Sequence, residues 1–340
     1  MEFRGIYWKS YINKERKNIL LNNLNIKIMK RIVVFLLSLV CVSNVYAQSI
    51  AGSPEYIKAL TAQWKGERFE DGRPKIPDGI LERLKNVTIE ECWAELMKLG
   101  YVNQFEGDWT LLNDDPDAVT TGRAVTAQFM PLRPDLEDAI IAQGKKEGRA
   151  WEQKRTVAWV INTLVKGDVY VTDTYNKEWL GTAIGSNLGS GVYHATGNGM
   201  ITYGHIRDIE RLRKVEGFNV WCKGFDPSYM RQTILVNYNV PIRMGKAIVL
   251  PGDAVLAKSG GVLFIPAHLV EQIVLTSEFT KLSDEFAEDL IKKNEYTAGE
   301  LDSVWGDELN KRFLKWIDNY PGTLPMPKED LDRFLKERNF

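Results

Sequence analysis

Arg207 and Asp208 stand side by side just after a short apolar run, Met200–Tyr203, that is typical of a strand. A guanidinium can hold an anionic group through two parallel hydrogen bonds, and a carboxylate is a favoured ligand of hard divalent cations. Beyond the end of a strand, the two side chains could therefore bind an acidic substrate and a metal ion together. The residue types alone are equally compatible with a surface ion pair, so both interpretations stay open at this point.

A glycine-rich segment, Gly185-Ser186-Asn187-Leu188-Gly189, precedes this pair. Glycine leaves backbone N–H groups accessible, and consecutive amides that face one point can bind a carboxylate. The turn Gly197-Asn198-Gly199 then leads into the predicted strand. This turn is not a phosphate-binding loop, because no Gly-Lys-Ser/Thr follows it. The segment and the arginine–aspartate pair together form a candidate carboxylate site.

Hydrophobic patterns in the rest of the chain predict a mixed α/β protein whose elements position this site. The other predicted strands are Val119–Met130, Leu164–Asp173, Phe218–Lys223, Val236–Ile242, Lys246–Leu250, Ala254–Ala257 and Gly261–Ile265. The predicted helices are Ile80–Lys98 with a break at Asn86–Thr88, Asp135–Lys146, Pro266–Ser277, Leu282–Lys293, Trp305–Asn319 and Lys328–Glu337. Thr88 followed by Glu91 predicts a capping box where the first helix resumes.

Four motifs, in this order, resemble the RraA-like family: Thr121–Thr126, Gly181–Asp208, Leu250–Asp253 and Gly261–Pro266. The family contains class II, metal-dependent 4-hydroxy-4-methyl-2-oxoglutarate/4-carboxy-4-hydroxy-2-oxoadipate aldolases, regulators of ribonuclease activity, and members labelled demethylmenaquinone methyltransferases. The resemblance spans roughly residues 75–305. It implies a layered α/β/β, swivelling-domain-like fold with mixed β-sheets, extended here by extra C-terminal helices, and a homotrimer or hexamer with sites between subunits.

The resemblance also implies roles for individual residues. Gly185 corresponds to the glycine of the family's segment, and the amides of Asn187 and Leu188 hold the carboxylate of pyruvate. Arg207 stabilises the enolate, and Asp208 is the ligand of a divalent metal cation, Mg²⁺ or Mn²⁺. The implied reaction is retro-aldol cleavage, or decarboxylation of oxaloacetate, with the cation as Lewis acid.

The sequence departs from the family pattern at three acidic positions. Ser186 stands where the family aldolases have an aspartate that serves proton transfer, and a serine hydroxyl is no base near neutral pH. Tyr203-Gly204 replaces the usual Asp-Gly, and Lys258–Val262 replaces Asp-x-x-Gly-Val. Two hypotheses follow: a lyase acting on a 2-oxo acid, which could derive from a sugar acid, or a non-catalytic oligomeric protein that binds carboxylates.

Other residues are weaker candidates for the site. His205 is close to the pair and could carry a proton, although His194, His205 and His268 show no metal-ligand spacing. A carboxylate from a second subunit near the metal is a family feature, for which the region offers Asp284, Glu285 and Glu288. A second carboxylate of the substrate could be bound by Lys223, Arg231 or Arg243. Methyl transfer has no support, because no glycine motif for a nucleotide cofactor follows an early strand.

The N-terminus has the features of a secretory signal peptide: Met29-Lys30-Arg31, the apolar run Ile32–Val42, and Ser43–Ala47. The run is short for a membrane span, so we expect cleavage after Ala47 and a periplasmic or secreted protein. A lipid anchor at Cys41 is the alternative, and residues 1–28 could be an overextended start.

Charge and cysteine content limit the partners. Residues 1–47 hold eight of the 44 basic and two of the 45 acidic residues, so the remainder has a net charge of −7. Such a chain is a poor partner for nucleic acid. Ribonuclease regulation needs a cytoplasmic location and a suitable surface, and the predicted signal peptide argues against it. The two cysteines beyond the leader, Cys92 and Cys222, could form at most one disulfide.

We divide the chain into leader 1–47, arm 48–75, RraA-like domain 76–305 and C-terminal helical extension 306–340.

Overall fold

The computed structural model describes residues 27–30, 49–149 and 156–337. The chain divides into two compact units, Met1–Ser49 and Ile50–Phe340. Residues 27–30 of the first unit are helical, and the rest of the predicted leader through Ala47 lies outside the described residues. In the part of the chain that is described, no helix combines the length and apolar character needed to cross a membrane.

A mixed β-sheet forms the centre of the second unit. Its strands are β1 (Phe105–Glu106), β2 (Thr110–Leu111), β3 (Thr120–Pro131), β4 (Asp168–Asp173), β5 (Met200–Tyr203), β7 (Val220–Cys222), β9 (Thr233–Tyr238), β12 (Ala254–Lys258) and β13 (Gly261–Ile265). The order is β1-β13-β12-β3-β4-β5-β7-β2, with β9 paired to β3. Strands β3, β4, β5 and β7 pair in parallel, and the other pairs are antiparallel. The predicted α/β class with a mixed sheet is thereby confirmed.

Helices and two small strand pairs surround this sheet. The helices are α1 (Pro54–Leu60), α2 (Asp78–Leu84), α3 (Ile89–Lys98), α4 (Pro134–Lys146), α5 (Val157–Ile161), α6 (Ser186–Thr196), α7 (Ile209–Leu212), α8 (Val270–Lys292), α9 (Ala298–Leu301), α10 (Asp307–Asp318) and α11 (Lys328–Glu337). The small pairs are β6 (His205–Ile206) with β8 (Gly224–Phe225), and β10 (Ile242–Met244) with β11 (Ala247–Val249). The capping box of Thr88 and Glu91 at the start of α3 is confirmed.

Apolar side chains form separate core clusters on the sheet. Residues of α5 and α6 pack with β4, β5 and β9 in one cluster, and α2, α3 and α8 pack on β12 and β13 in another on the same face. The opposite face forms a third cluster with β10 and β11. The arm joins this core through Arg73, which is buried and bonds the buried Asp168 of β4 at 2.9 Å. Residues 50–75 are thus packed against the domain along part of their length.

The structure corrects three predicted elements. Pro266–Ser277 and Leu282–Lys293 are not separate helices, because α8 runs without interruption from Val270 to Lys292 after a 3-10 turn. The glycine-rich segment, for which the sequence predicts no helix, begins α6 with Gly185 as the N-cap residue. The strand predicted at Val236–Ile242 lies earlier, at β9.

The C-terminal helices pack on α8 of the same chain. An apolar cluster joins the second half of α8, including Phe279 and Phe286, to Phe313 of α10 and Phe334 of α11. The Phe286 and Phe313 rings lie 5.4 Å apart. The apolar faces of the extension are therefore covered by their own chain rather than left open for a neighbouring subunit.

Candidate active site

Two neighbouring segments at the ends of parallel strands build the candidate site. One leaves β4 and enters α6 at Gly185, and the other leaves β5 and passes through β6 to Arg207. Backbone hydrogen bonds hold the segments together, from Ala183 N to His205 O at 2.8 Å and from Arg207 N to Ile184 O at 3.1 Å. Because β4, α6 and β5 form a parallel crossover, the first turn of α6 and the arginine–aspartate pair lie at the same edge of the sheet.

Asp208 is fixed by contacts on both carboxylate oxygens. Its Oδ2 accepts hydrogen bonds from Ser186 N at 2.9 Å and from Ser186 Oγ at 3.3 Å. Its Oδ1 accepts one from Arg207 Nη1 at 3.3 Å. The backbone of Asp208 is left-handed, with φ of 63°, a conformation that Asp and Asn tolerate better than other non-glycine residues.

The Asp208 carboxyl has a pKa below its usual value, so it is ionised at neutral pH. The main cause is the hydrogen bond from the Ser186 amide, and the charges of Arg207 and Arg211 act in the same direction against the opposing effect of burial. The side chains of Arg207 and Asp208 are 37% and 29% exposed. The pair is thus accessible to a ligand rather than sealed in the core.

Position 185 requires glycine because there is no room for a side chain, and not because of its backbone conformation. Its φ of −128° is open to any residue, but a Cβ atom there would lie 2.5 Å from Asp208 Oδ2 and 3.0 Å from Arg207 Cζ. The absence of a side chain at Gly185 lets the arginine–aspartate pair approach the first turn of α6. The amides of Asn187 and Leu188 belong to that turn, where N–H groups have no partner within the helix and the helix dipole favours an anion.

These residues line one cleft with a volume of about 1080 Å³. Gly185, Ser186, Asn187, Leu188, Arg207 and Asp208, all predicted as site residues, lie in its wall. The cleft also contains residues that the sequence did not single out, among them Glu137, Glu210, Arg211, Tyr229 and Thr233. Arg211 could have been found, because it follows Asp208 by one helical turn. Glu210 belongs to the same short helix as Arg211. Glu137, Tyr229 and Thr233 come from distant segments without a recognisable motif.

Several weaker candidates do not reach the cleft. Of the three cations considered for a second carboxylate, only Arg231 lines it. Lys223 instead bonds Gly107 O at 2.9 Å and lies over the Trp109 ring at 4.3 Å. His205 lies outside the cleft wall, although its Nδ1 is buried and has no hydrogen-bond partner among the described residues.

The carboxylates of α8 also lie away from the cleft of this chain. Glu285 accepts a hydrogen bond from Tyr320 at 2.6 Å, and Glu288 pairs with Lys292 at 3.0 Å. The two cysteines are likewise remote from the site. Cys92 and Cys222 are free and buried in different core clusters.

The residues present fit one type of metal site. In the described part of the chain, no cluster of three or more His, Cys, Asp or Glu side chains could hold an ion. Mg²⁺ and Mn²⁺ suit oxygen ligands, and Mg²⁺ is commonly held by one or two carboxylates with water and substrate oxygens completing its shell. The ionised Asp208, which lines a cleft that can admit a substrate, fits that arrangement.

Comparison with known proteins gives consistent results. The model of the family described as RraA-like, Aldolase/RraA, matches residues 92–264. A protein of Halalkalibacterium halodurans named as a candidate 4-hydroxy-4-methyl-2-oxoglutarate aldolase is 27% identical over 199 residues, which is 58% of this chain and 91% of that protein. The solved structure of Streptomyces coelicolor RraAS2, described as an unusual member of the RNase ES inhibitor RraA family, is 28% identical. The match covers 65% of this chain and 99% of RraAS2 with a TM-score of 0.54. A Pseudomonas syringae protein of 17% identity, with 70% of this chain and 98% of that chain covered and a TM-score of 0.54, shares the fold.

Proposed function

The chain belongs to the RraA-like family, and from this premise we propose that it is a divalent-metal-dependent carbon–carbon lyase acting on a 2-oxo acid. The observation that carries the proposal is the meeting of three features in one cleft: the first-turn amides of α6, the Arg207 guanidinium and the ionised Asp208 carboxylate. The similarity to a protein named as a candidate aldolase supports the same reaction class.

Substrate binding begins at the first turn of α6. The free amides of Asn187 and Leu188 receive the carboxylate of the 2-oxo acid, aided by the partial positive charge of the helix N-terminus. Gly185 leaves the space in which this carboxylate lies beside Arg207. The 2-oxo oxygen then faces the guanidinium, which can donate hydrogen bonds to it.

The chemistry requires stabilisation of negative charge. In a retro-aldol cleavage the bond between C3 and C4 breaks, its electron pair forms the enolate of pyruvate, and the C4 hydroxyl loses its proton to a base. Arg207 stabilises the charge that develops on the 2-oxo oxygen, an effect worth about 3–4 kcal/mol for a single well-placed donor. Asp208 would hold a divalent cation, which would supply Lewis-acid stabilisation of the developing negative charge.

Ser186 limits which group can accept a proton during the reaction. Its hydroxyl contacts Asp208 Oδ2 at 3.3 Å, and it is a weak base near neutral pH. The base that accepts the hydroxyl proton is therefore a water molecule or the carboxylate of another residue.

We also propose that the enzyme is exported after cleavage of the leader and works as a homo-oligomer without nucleic acid, on the basis of the leader and of the family.

Pyruvate release tests the reaction. Purified protein is assayed with oxaloacetate and with 4-hydroxy-4-methyl-2-oxoglutarate, with Mg²⁺ or Mn²⁺ and with chelator, beside Arg207→Ala and Asp208→Asn. Asn is chosen because it tolerates the left-handed backbone at this position. We expect metal-dependent turnover that both variants lose by at least about a hundredfold. Absence of turnover in the natural protein together with activity in Ser186→Asp would instead support a carboxylate-binding protein that has lost catalysis.

A further inference from the structure

We propose that Lys223 is a positioning residue for Arg207. Its ammonium group fills a cage formed by residues 106–109 and Tyr203, and this contact fixes the strand that supports the segment carrying Arg207. The effect on catalysis rests on the proposed function, whereas the fixing of this segment can be measured without turnover.

The ammonium group of Lys223 has three hydrogen-bond acceptors in one short segment. It bonds Gly107 O at 2.9 Å, Asp108 O at 3.1 Å and Glu106 Oε1 at 3.4 Å. The Lys223 side chain is only 11% exposed, unlike the solvated surface position that is usual for lysine. Because an ammonium group has three donors and no acceptor, these contacts use its whole hydrogen-bonding capacity.

Two aromatic rings complete the cage around the same nitrogen. Lys223 Nζ lies 4.3 Å from the centre of the Trp109 ring and 4.9 Å from the centre of the Tyr203 ring. The two rings meet edge to face with their centres 6.2 Å apart, and Trp109 Nε1 bonds Glu106 O at 2.8 Å. Aromatic faces attract a cation, most strongly where water is excluded. The cage therefore favours an ammonium group over a neutral group of the same size.

Tyr203 links the cage to the candidate site along the chain. It is the last residue of β5, and the chain continues through Gly204 and β6 to Arg207. Tyr203 also stands at one of the positions where the sequence departs from the acidic pattern of the family. The aromatic ring that replaces the acid at this position is one wall of the cage.

Lys223 also begins the strand that supports β6. Its amide bonds Gly204 O at 2.8 Å, β8 then runs parallel to β6, and Asp226 N bonds Ile206 O at 3.1 Å. Arg207 follows β6 directly. A shift of β8 would therefore be transmitted through these hydrogen bonds to the backbone that carries the Arg207 guanidinium.

The side chains of β8 itself do little to hold it. Gly224 has no side chain, and Phe225 is 39% exposed. The end of the strand is fixed by Ser228, whose Oγ accepts a hydrogen bond from Leu180 N at 2.6 Å. Removal of the Lys223 ammonium should therefore loosen the start of β8 while its end stays in place.

Chemical rescue tests whether the cage recognises an ammonium group. Lys223→Ala removes three methylene groups and the ammonium, and propylammonium supplies the same atoms as a free guest. We expect kcat for pyruvate release to fall about ten- to a hundredfold because Arg207 is misplaced. KM should change by less than about threefold, because the α6 amides still hold the substrate carboxylate. Propylammonium in roughly the millimolar range should restore most of the lost kcat, whereas 1-propanol, its neutral match, should not.

Hydrogen exchange measures the same effect without turnover. In Lys223→Ala the amides of Arg207 and Asp226 should exchange at least about tenfold faster, whereas the amides between β3 and β4 should keep their natural rates. Propylammonium should slow the exchange again. Lys223→Met keeps most of the apolar chain and loses the charge, so it should show the same local change even if the alanine variant does not fold.

Lys246→Ala provides the matched control. It removes an exposed lysine side chain whose backbone amide bonds Glu106 Oε2 at 2.8 Å, and it should leave kcat and exchange unchanged. In Lys223→Ala/Trp109→Leu, propylammonium should have no effect because one ring of the cage is gone.

Three outcomes would overturn the positioning role: faster exchange throughout the domain, equal rescue by 1-propanol, or natural kcat and exchange in both Lys223 variants. Local exchange that responds to propylammonium, in a protein that releases no pyruvate, would support the cage and refute the lyase reaction alone.

Discussion

Replacing Gly185 by alanine should abolish most of the activity while leaving the fold nearly intact. The added Cβ would lie 2.5 Å from Asp208 Oδ2 and 3.0 Å from Arg207 Cζ and Nε, whereas ordinary contacts begin at 3.4 Å. The carboxylate oxygen must therefore withdraw by about 0.9 Å and the guanidinium by about 0.4 Å. The proposed mechanism uses these two groups, the Asp208 carboxylate to hold the metal ion and the Arg207 guanidinium to stabilise the developing charge.

The size of the effect follows from these displacements. A shift of about 1 Å in a catalytic group can lower the rate about a hundredfold, so we expect kcat/KM for pyruvate release to fall by that factor. The free energy of unfolding should fall by only about 1–2 kcal/mol, because φ at Gly185 suits alanine, and the losses are the N-cap preference for glycine and the hydrogen bonds from Ser186 that lengthen when Asp208 withdraws. The corresponding fall in Tm is about 2–8 °C.

Two other glycines of α6 provide matched controls. A Cβ at Gly191 would have its nearest neighbour, Ile161 Cγ2, at 3.7 Å, so Gly191→Ala should raise stability by about 0.5–1 kcal/mol and leave activity unchanged. A Cβ at Gly189 would lie 2.5 Å from Leu212 Cδ2 in the core, so Gly189→Ala should lower stability by about 1–3 kcal/mol. If Gly185→Ala kept more than half of the natural activity, the assignment of the reaction to this cleft would be wrong.

Three further outcomes test the fold. Arg83→Ala should destabilise the protein by about 3 kcal/mol in urea unfolding, because it leaves Glu278 charged and buried without its partner. Burial raises the pKa of the Cys92 and Cys222 thiols to about 12. Neither thiol should therefore react with an aromatic disulfide reagent until the protein unfolds, when two thiols per chain should react if the leader is removed and three if it is retained. Burial also raises the pKa of Asp253 from 3.8 to about 7. As the pH rises, this carboxyl ionises at a lower pH in the unfolded chain than in the folded protein. The free energy of unfolding should therefore fall by about 4 kcal/mol between pH 4 and pH 7 and stay level above pH 7. The Asp253→Asn variant should not show this dependence on pH.

Contrary results would point to specific errors. Natural stability in Arg83→Ala would mean that the ion pair with Glu278 is not formed. Rapid reaction of either cysteine in the native protein would contradict its burial. If the stability of the Asp253→Asn variant depended on pH as steeply as that of the natural protein, other groups would be the cause of the dependence.

The parts of the site that could be predicted lie close together along the chain. Helix α6 runs back along the sheet, and β5, which is parallel to β4, returns the chain to the carboxyl ends of the strands. The glycine segment and Arg207-Asp208 must therefore meet there. The remainder of the cleft depends on packing between distant segments. Glu137 reaches it from α4 and Arg231 from the approach to β9, and nothing in their local sequence distinguishes them from surface residues.

The continuity of α8 shows how tertiary contacts override local sequence. Thr276, Ser277 and Glu278 form a polar run that is typical of a break between helices. The structure buries all three, and Arg83 donates two hydrogen bonds to Glu278 from α2. A partner 195 residues away in sequence therefore makes this polar run compatible with the interior of a long helix.

Ser186 offers the sharpest test of whether Asp208 binds a cation. Its amide and hydroxyl both contact Asp208 Oδ2, so an aspartate at this position would bring a second carboxylate against the first. Without metal the like charges repel, and Ser186→Asp should have a Tm a few degrees lower than the natural protein. With Mn²⁺ the two carboxylates should share the ion, so its Tm should rise by more than that of the natural protein. A Tm that does not respond to Mn²⁺ in either protein would mean that Asp208 is only the hydrogen-bond partner of Ser186 and Arg207.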